Sequence, residues 1–145
     1  MRKVPGCELC ELAVEPVWRN DLFSVILVDD AAYPGFVRVI LHDHVREISD
    51  LADADRLAVN EAVYQVELAQ RAVLNPHKIN VASLGNVVPH LHWHIIPRYQ
   101  DDAQFPAPIW AAATRVTPPE VLAERRARLP QLRADLIRRF NESFT

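Results

Sequence analysis

The chain has 145 residues, half of them apolar and 24% charged, the balance of an ordinary globular domain with a packed core. Its formal charge of −3 excludes a protein that holds nucleic acid mainly by the phosphate backbone, which needs a cationic surplus. Its only glycines, Gly6, Gly35 and Gly85, stand far apart and exclude both a Walker A loop and a GxGxxG fingerprint, so any phosphate chemistry falls to side chains. No apolar run approaches the ~20 residues that span a bilayer. Arg2 and Lys3 resemble the start of a signal peptide, but Glu8 and Glu11 interrupt its apolar region, and a soluble cytoplasmic protein is expected.

Cys7 and Cys10 form a C-x-x-C near the N-terminus. A thioredoxin-like redox pair would follow a strand and open a helix, which the short preceding segment does not provide. A half zinc site needs two further ligands, for which histidines are available; two incidental reduced cysteines are the remaining alternative. Residues 22–28 read as a β-rich run ending at Asp29-Asp30, and the turn Tyr33-Pro34-Gly35 leads into a second run over 36–41. The short connection predicts an antiparallel pair.

From 53 to 74 the pattern changes to a helix. Val59, Ala62, Val63, Val66 and Val73 recur at spacings of three and four, Asp53 and Asp55 suit its positive end, and Asn75-Pro76 closes it. Residues 78–83 read as a strand, followed by a turn at Leu84-Gly85-Asn86 and a further strand over 90–96 that Pro97 stops. Prolines 106, 108, 118 and 119 mark an irregular stretch. Short helices over 121–129 and 131–141 follow, separated by Pro130. Arg125, Arg126, Arg128, Arg133, Arg138 and Arg139 are interleaved with acids there and read as a solvated helix face. Strands, one long helix, more strands and a helical tail make a single α+β domain over 1–145.

His90, His92 and His94 alternate with Leu91, Trp93 and Ile95. On a strand this sets the imidazoles on one face at steps of ~6.6 Å and the apolar set on the other. Two chemistries fit: imidazole ligands of a catalytic metal, or an imidazole nucleophile. An imidazole of ordinary pKa, about 6.5, is largely neutral at neutral pH and attacks phosphorus without a separate base, with flanking histidines as donors to the phosphoryl oxygens.

The run His90-Leu91-His92-Trp93-His94-Ile95-Ile96 resembles the His-φ-His-φ-His-φ-φ signature of the histidine triad (HIT) superfamily. Asn80 with Gly85-Asn86-Val87-Val88, Pro34-Gly35 with its following strand, and His44 with Ile48-Ser49-Asp50-Leu51 resemble further family elements, so the likeness covers about residues 7–99 and leaves 100–145 as an extension. Phe105-Pro106-Ala107-Pro108-Ile109-Trp110 is similar to small bacterial members of the diadenosine tetraphosphate hydrolase-like group. The resemblance implies an antiparallel sheet of about five strands with one long helix. It also implies cleavage at the α-phosphate of dinucleoside polyphosphates or adenylated amines through a nucleotidyl-histidine, with release of a nucleoside monophosphate.

Carried over residue by residue, His92 is the nucleophile, His94 contacts phosphate and leaving group, and His90 orients His92. Asn80, Gly85 and Asn86 support the phosphate. Asp29 or Asp30 binds ribose, or serves simply as a turn residue. Asn86 replaces the family's usual Gln, and Phe36 stands where many members carry His, which bears on substrate identity. Some relatives bind zinc through a C-x-x-C, an upstream histidine and the first triad histidine; the matching set is Cys7, Cys10, His44 and His90, with His42 competing for the place of His44. No organic cofactor is expected, and family members pair as homodimers, which also covers an open sheet edge.

Overall fold

A computed structural model describes residues 1–144. The elements are β1 (Trp18–Arg19), β2 (Phe23–Leu27), β3 (Val37–Leu41), a 3-10 turn (Ile48–Asp50), α1 (Asp53–Leu74), β4 (Lys78–Ala82), β5 (His92–Arg98), α2 (Pro119–Ala127) and α3 (Leu129–Ser143). The strands form a five-stranded antiparallel sheet in the order β1-β2-β3-β5-β4. The α+β class, the expected strands and the long helix all appear, and the antiparallel β2–β3 pair runs from Phe23↔Leu41 to Leu27↔Val37.

Alternation divides the sheet into two faces. Phe23, Val25, Val37, Val39, Leu41, Trp93 and Ile95 enter one core with the buried side of α1. On α3, Leu132, Leu136 and Phe140 recur every fourth residue and are fully buried in the same core. Trp18 fixes this helix to the sheet, its ring centroid 5.2 Å from Phe140 and its Nε1–H donating to Asn141 at 2.9 Å. Ser24, Ile26, Arg38, Ile40, His92, His94 and Ile96 occupy the opposite face, where Tyr33, Phe36 and Ile96 make a smaller cluster.

Gly35 joins β2 to β3 at φ +92°, and a Cβ there would stand 2.3 Å from the Leu74 Cδ1 methyl. The positive φ is what favours glycine here, and any side chain would in addition have to displace the Leu74 methyl. Asn75, at φ 47°, ends α1 in the left-handed conformation, as the Asn-Pro signal predicts.

The ends of two elements differ from expectation. β5 continues through Pro97 to Arg98, because its pairing with β3 ends at Val37↔Ile95 and the proline lies where only β4 runs alongside. Buried Gln70 on α1 donates to the carbonyls of Gly35 (2.9 Å) and Ile95 (2.8 Å), closing the gap beside that end of β3. Pro130 does not separate the last helices; it sits in the first turn of α3, where no backbone N–H is required. The tail arginines are tied down as well as solvated. Arg125 lies over the Tyr99 ring at 3.5 Å and pairs with Asp101 at 2.8 Å, while Arg138 and Arg139 share Asp135. None of the described helices is long and apolar enough to cross a membrane.

Candidate functional site

His92 and His94 lie on β5, at the inner part of the sheet, and are nearly sealed at 7% and 6% exposure. Their rings lean together, with centroids 4.9 Å apart rather than the expected strand step. His92 Nδ1 lies 2.5 Å from the carbonyl of His90, a contact that only an N–H satisfies, so in the neutral form of the ring Nε2 is the nitrogen without a proton. The His92 carbonyl accepts from Ser83 Oγ at 2.8 Å, so the backbone under the ring is held as well. His94 packs between Phe36 and Trp110, at centroid distances of 5.7 and 5.1 Å. Burial first, then the neighbouring His92 and Arg38, push its pKa down to about 4, so it is a neutral imidazole near neutral pH.

His90 departs from the expected line of three. It precedes β5, and its ring turns toward the N-terminal segment, not along the strand face. Its Nδ1 lies 3.6 Å from Cys7 Sγ, 3.4 Å from Cys10 Sγ and 3.2 Å from His44 Nδ1, and Cys10 Sγ lies 3.3 Å from His44 Nδ1. All four ligand atoms fall within 4.8 Å of one another. A tetrahedral zinc with Zn–N of about 2.0–2.1 Å and Zn–S of about 2.3 Å sets N···N near 3.3 Å and S···N near 3.5 Å, so the donor set fits that ion. The tautomer fits too. His90 Nε2–H donates to the Leu41 carbonyl at 2.6 Å, leaving Nδ1 lone-pair-bearing and aimed at the cluster. Burial, the main influence on His90, favours the neutral ring that a metal requires.

Local contacts close the N-terminal segment over this cluster. Val4 N–H donates to Cys10 Sγ at 3.4 Å, Arg2 binds Asp43, and the Arg2 carbonyl accepts from His44 N–H at 2.9 Å. His42, the competing upstream histidine, lies elsewhere; its Nε2 is 2.9 Å from Ser24 Oγ and its Nδ1 faces the Asp21 carbonyl. The candidate metal group comprises neither His92 nor His94, so a catalytic metal held by the three triad imidazoles is not what the geometry assembles.

The candidate substrate residues are less concentrated. Asn80 Oδ1 accepts from Arg98 Nη1 at 2.7 Å and lines a cleft of about 460 Å³ bounded by Ala82, Leu84, Ile96 and Trp110. Trp110 connects this cleft to His94. Gly85, at φ +78°, turns the loop between β4 and β5, with Asn86 exposed on it. Asp30 acts as a turn residue: its Oδ1 accepts from the N–H groups of Ala32 and Tyr33 at 3.0 and 3.2 Å. Asp29 is exposed beside it.

Sequence reasoning missed the group that holds the extension against the site. Arg98 and Asp102 are 2% and 1% exposed and form a two-pronged pair, Nε to Oδ2 at 2.8 Å and Nη2 to Oδ1 at 3.0 Å. Asp102 also accepts from Tyr99 N–H (3.0 Å), Phe105 N–H (2.7 Å) and Tyr33 Oη (3.2 Å), while Arg98 donates to the Ala107 carbonyl at 2.7 Å. This turn carries Trp110 onto His94. An arginine four residues before an aspartate was legible, but nothing local distinguishes a buried pair from a surface one.

The family model for the HIT domain matches residues 11–101. An AP-4-A phosphorylase of Mycobacterium tuberculosis is 30% identical over 110 residues, which is 70% of this chain and 56% of that protein, so the chain spans about half the length of this relative. A histidine triad protein structure from Bradyrhizobium japonicum superposes with a TM-score of 0.69 at 26% identity, covering 86% of this chain and 89% of the other. One from Marinobacter aquaeolei VT8 gives 0.66 at 30% identity, covering 84% and 90%. The fold, the spacing of the histidines and the family match agree: the chain belongs to the HIT family.

Proposed function

We propose that this chain is a nucleotidyl hydrolase or transferase acting at the α-phosphate of nucleoside-phosphate derivatives, with His92 as nucleophile. The observation that carries the reading is the His92 ring itself: its Nδ1–H is fixed on the His90 carbonyl at 2.5 Å, and its other nitrogen is free beside His94. In the first step His92 Nε2 attacks the α-phosphorus, an Nε2–P bond forms, and the bond from phosphorus to the leaving group breaks with the electron pair on that group. In the second step water attacks the phosphorus, the Nε2–P bond breaks with its electron pair returning to Nε2, the water's surplus proton passes to solvent, and a nucleoside monophosphate is released. His94, neutral and adjacent, acts as a hydrogen-bonding partner of phosphate and leaving group. Family membership and the AP-4-A phosphorylase relative support a nucleotide-processing activity, for which dinucleoside polyphosphates or adenylated amines are the proposed substrate class.

Cys7, Cys10, His44 and His90 are the residues that would hold a structural zinc, closing the N-terminal segment on the loop before β5. Such an ion supplies fold stability, and the chemistry stays with His92.

The test is a panel of diadenosine tetraphosphate and adenosine phosphoramidate, with AMP release followed by chromatography and the protein followed by mass spectrometry. Wild type should release AMP and carry an adenylyl group on trapping, and His92→Ala should do neither while still binding AMP. Turnover by His92→Ala near the wild-type rate would overturn the covalent mechanism. AMP binding by wild type without release from any of these substrates would make the chain a nucleotide-binding module instead.

A further inference from the structure

Arg38 is a charged residue in the middle of β3. Pairing sets it opposite Ile26 on β2 and His94 on β5, so its side chain leaves the sheet on the face that carries His92 and His94. Phe36 and Ile40 flank it along that face, an apolar setting in which an aliphatic residue is the usual occupant. Instead the guanidinium carbon lies 5.4 Å from the Phe36 ring centre, and that ring is 5.7 Å from His94.

The donor is unclaimed. Arg38 Nε is sealed from solvent with no hydrogen-bond partner, and no carboxylate among the described residues is within ion-pair distance of the guanidinium. Asp30 and Glu8 act on it only through space; Asp30 is engaged in its turn and Glu8 is exposed. Directly across the ladder, His94 Nδ1 is also buried and unpartnered. Of the three such side-chain atoms among the described residues, two therefore sit on facing neighbours of one sheet face, the third being Gln70 Oε1. Buried polar atoms in native proteins are nearly always satisfied, and an unpaired guanidinium N–H calls for an anionic acceptor.

We propose that Arg38, a half-buried side chain, is an anion-binding residue of the substrate site, its guanidinium directed to a phosphate oxygen of the nucleotide that His94 also contacts. The inference rests on the nucleotidyl-transfer reading only for the identity of the anion. It also supplies what the histidines lack. With His94 neutral, the fixed positive charge beside the transferred phosphoryl group belongs to the arginine.

Calorimetric titration with AMP and with adenosine, on wild type, Arg38→Met and Arg38→Lys, tests it. Arg38→Met keeps the length of the side chain and should weaken AMP by about 10–100-fold, the loss of one hydrogen bond to a charged group, while adenosine binding stays unchanged. Arg38→Lys should recover part of the AMP affinity, since a lysine restores the charge without the planar fork. If Arg38→Met fails to fold, the ratio of AMP to adenosine affinity in Arg38→Lys against wild type decides the same point. An equal loss of both ligands would assign Arg38 to the nucleoside or to the fold, and no loss of AMP would leave it without a ligand role; either overturns the proposal, as does a wild type that binds AMP no tighter than adenosine. Because binding is read without turnover, a wild type that holds AMP through Arg38 but forms no adenylyl-protein would remove the covalent reading and leave this one standing.

Discussion

Replacing Asp102 by alanine isolates the contact that holds the extension on the triad. Asp102 is 1% exposed and faces an Arg98 guanidinium that is 2% exposed. The substitution leaves Arg98 with Asn80 and the Ala107 carbonyl as acceptors but no counter-charge. Removing one partner of a buried pair costs about 3–5 kcal/mol. The N–H groups of Tyr99, Gln104 and Phe105, on half-buried residues, and the Tyr33 hydroxyl lose an acceptor as well. We expect ~4 kcal/mol in urea denaturation and a fall of roughly 10–15 °C in Tm for a domain of this size. Asp101 is the control: its pair with Arg125 is 2.8 Å long but its side chain is 45% exposed, so Asp101→Ala should cost about 1 kcal/mol or less.

Acid adds a second arm to the same experiment. Burial works to raise the Asp102 carboxyl, but hydrogen bonds from Arg98 and from the Tyr99 and Phe105 N–H groups outweigh it and leave the group below its ordinary value of 3.8. A carboxylate depressed in the folded state binds fewer protons there than in the unfolded chain, so its stability is full above the ordinary value and is lost as pH falls through the folded one. Wild type should therefore lose stability below about pH 4 more steeply than Asp102→Ala. Equal losses for Asp102→Ala and Asp101→Ala, or parallel acid limbs for wild type and Asp102→Ala, would refute the buried-pair account.

Two further outcomes concern metal and assembly. Protein purified without chelator should contain about one zinc per chain by elemental analysis, and Cys10→Ser should lose both the metal and thermal stability; a metal content near zero would remove the structural zinc. Tyr64, 53% exposed on α1, and Val81, 49% exposed on the edge strand β4, lie on the two elements through which two copies are expected to pair. Light scattering should then give twice 16.5 kDa, and a monomer at micromolar concentration would refute the pairing.

What the sequence disclosed was periodic or clustered. The bounds of α1 were legible because valines at helical spacing meet acids at one end and Asn75-Pro76 at the other. The alternating Leu91, Trp93 and Ile95 entered the core as the strand period requires. Pro97 misled, because whether a proline ends a strand depends on which neighbour runs beside it, and that is decided by where β3 begins. The Arg98–Asp102 pair and Arg38 were opaque for a related reason. A charged residue reads as exposed until tertiary packing supplies its partner or, for Arg38, leaves it without one.

His90 links the two halves of the site. Its Nδ1 belongs to the cysteine–histidine cluster, its Nε2–H is anchored on Leu41, and its carbonyl takes the proton-bearing nitrogen of His92. A ring fixed at both nitrogens fixes its own peptide unit, and that peptide sets the tautomer and direction of His92. On this geometry the N-terminal C-x-x-C acts on the proposed nucleophile from the far side of one residue. Cys7 and Cys10 thus reach the His92 hydrogen bond through one residue, His90, which is itself fully buried and anchored on the core strand β3 at Leu41.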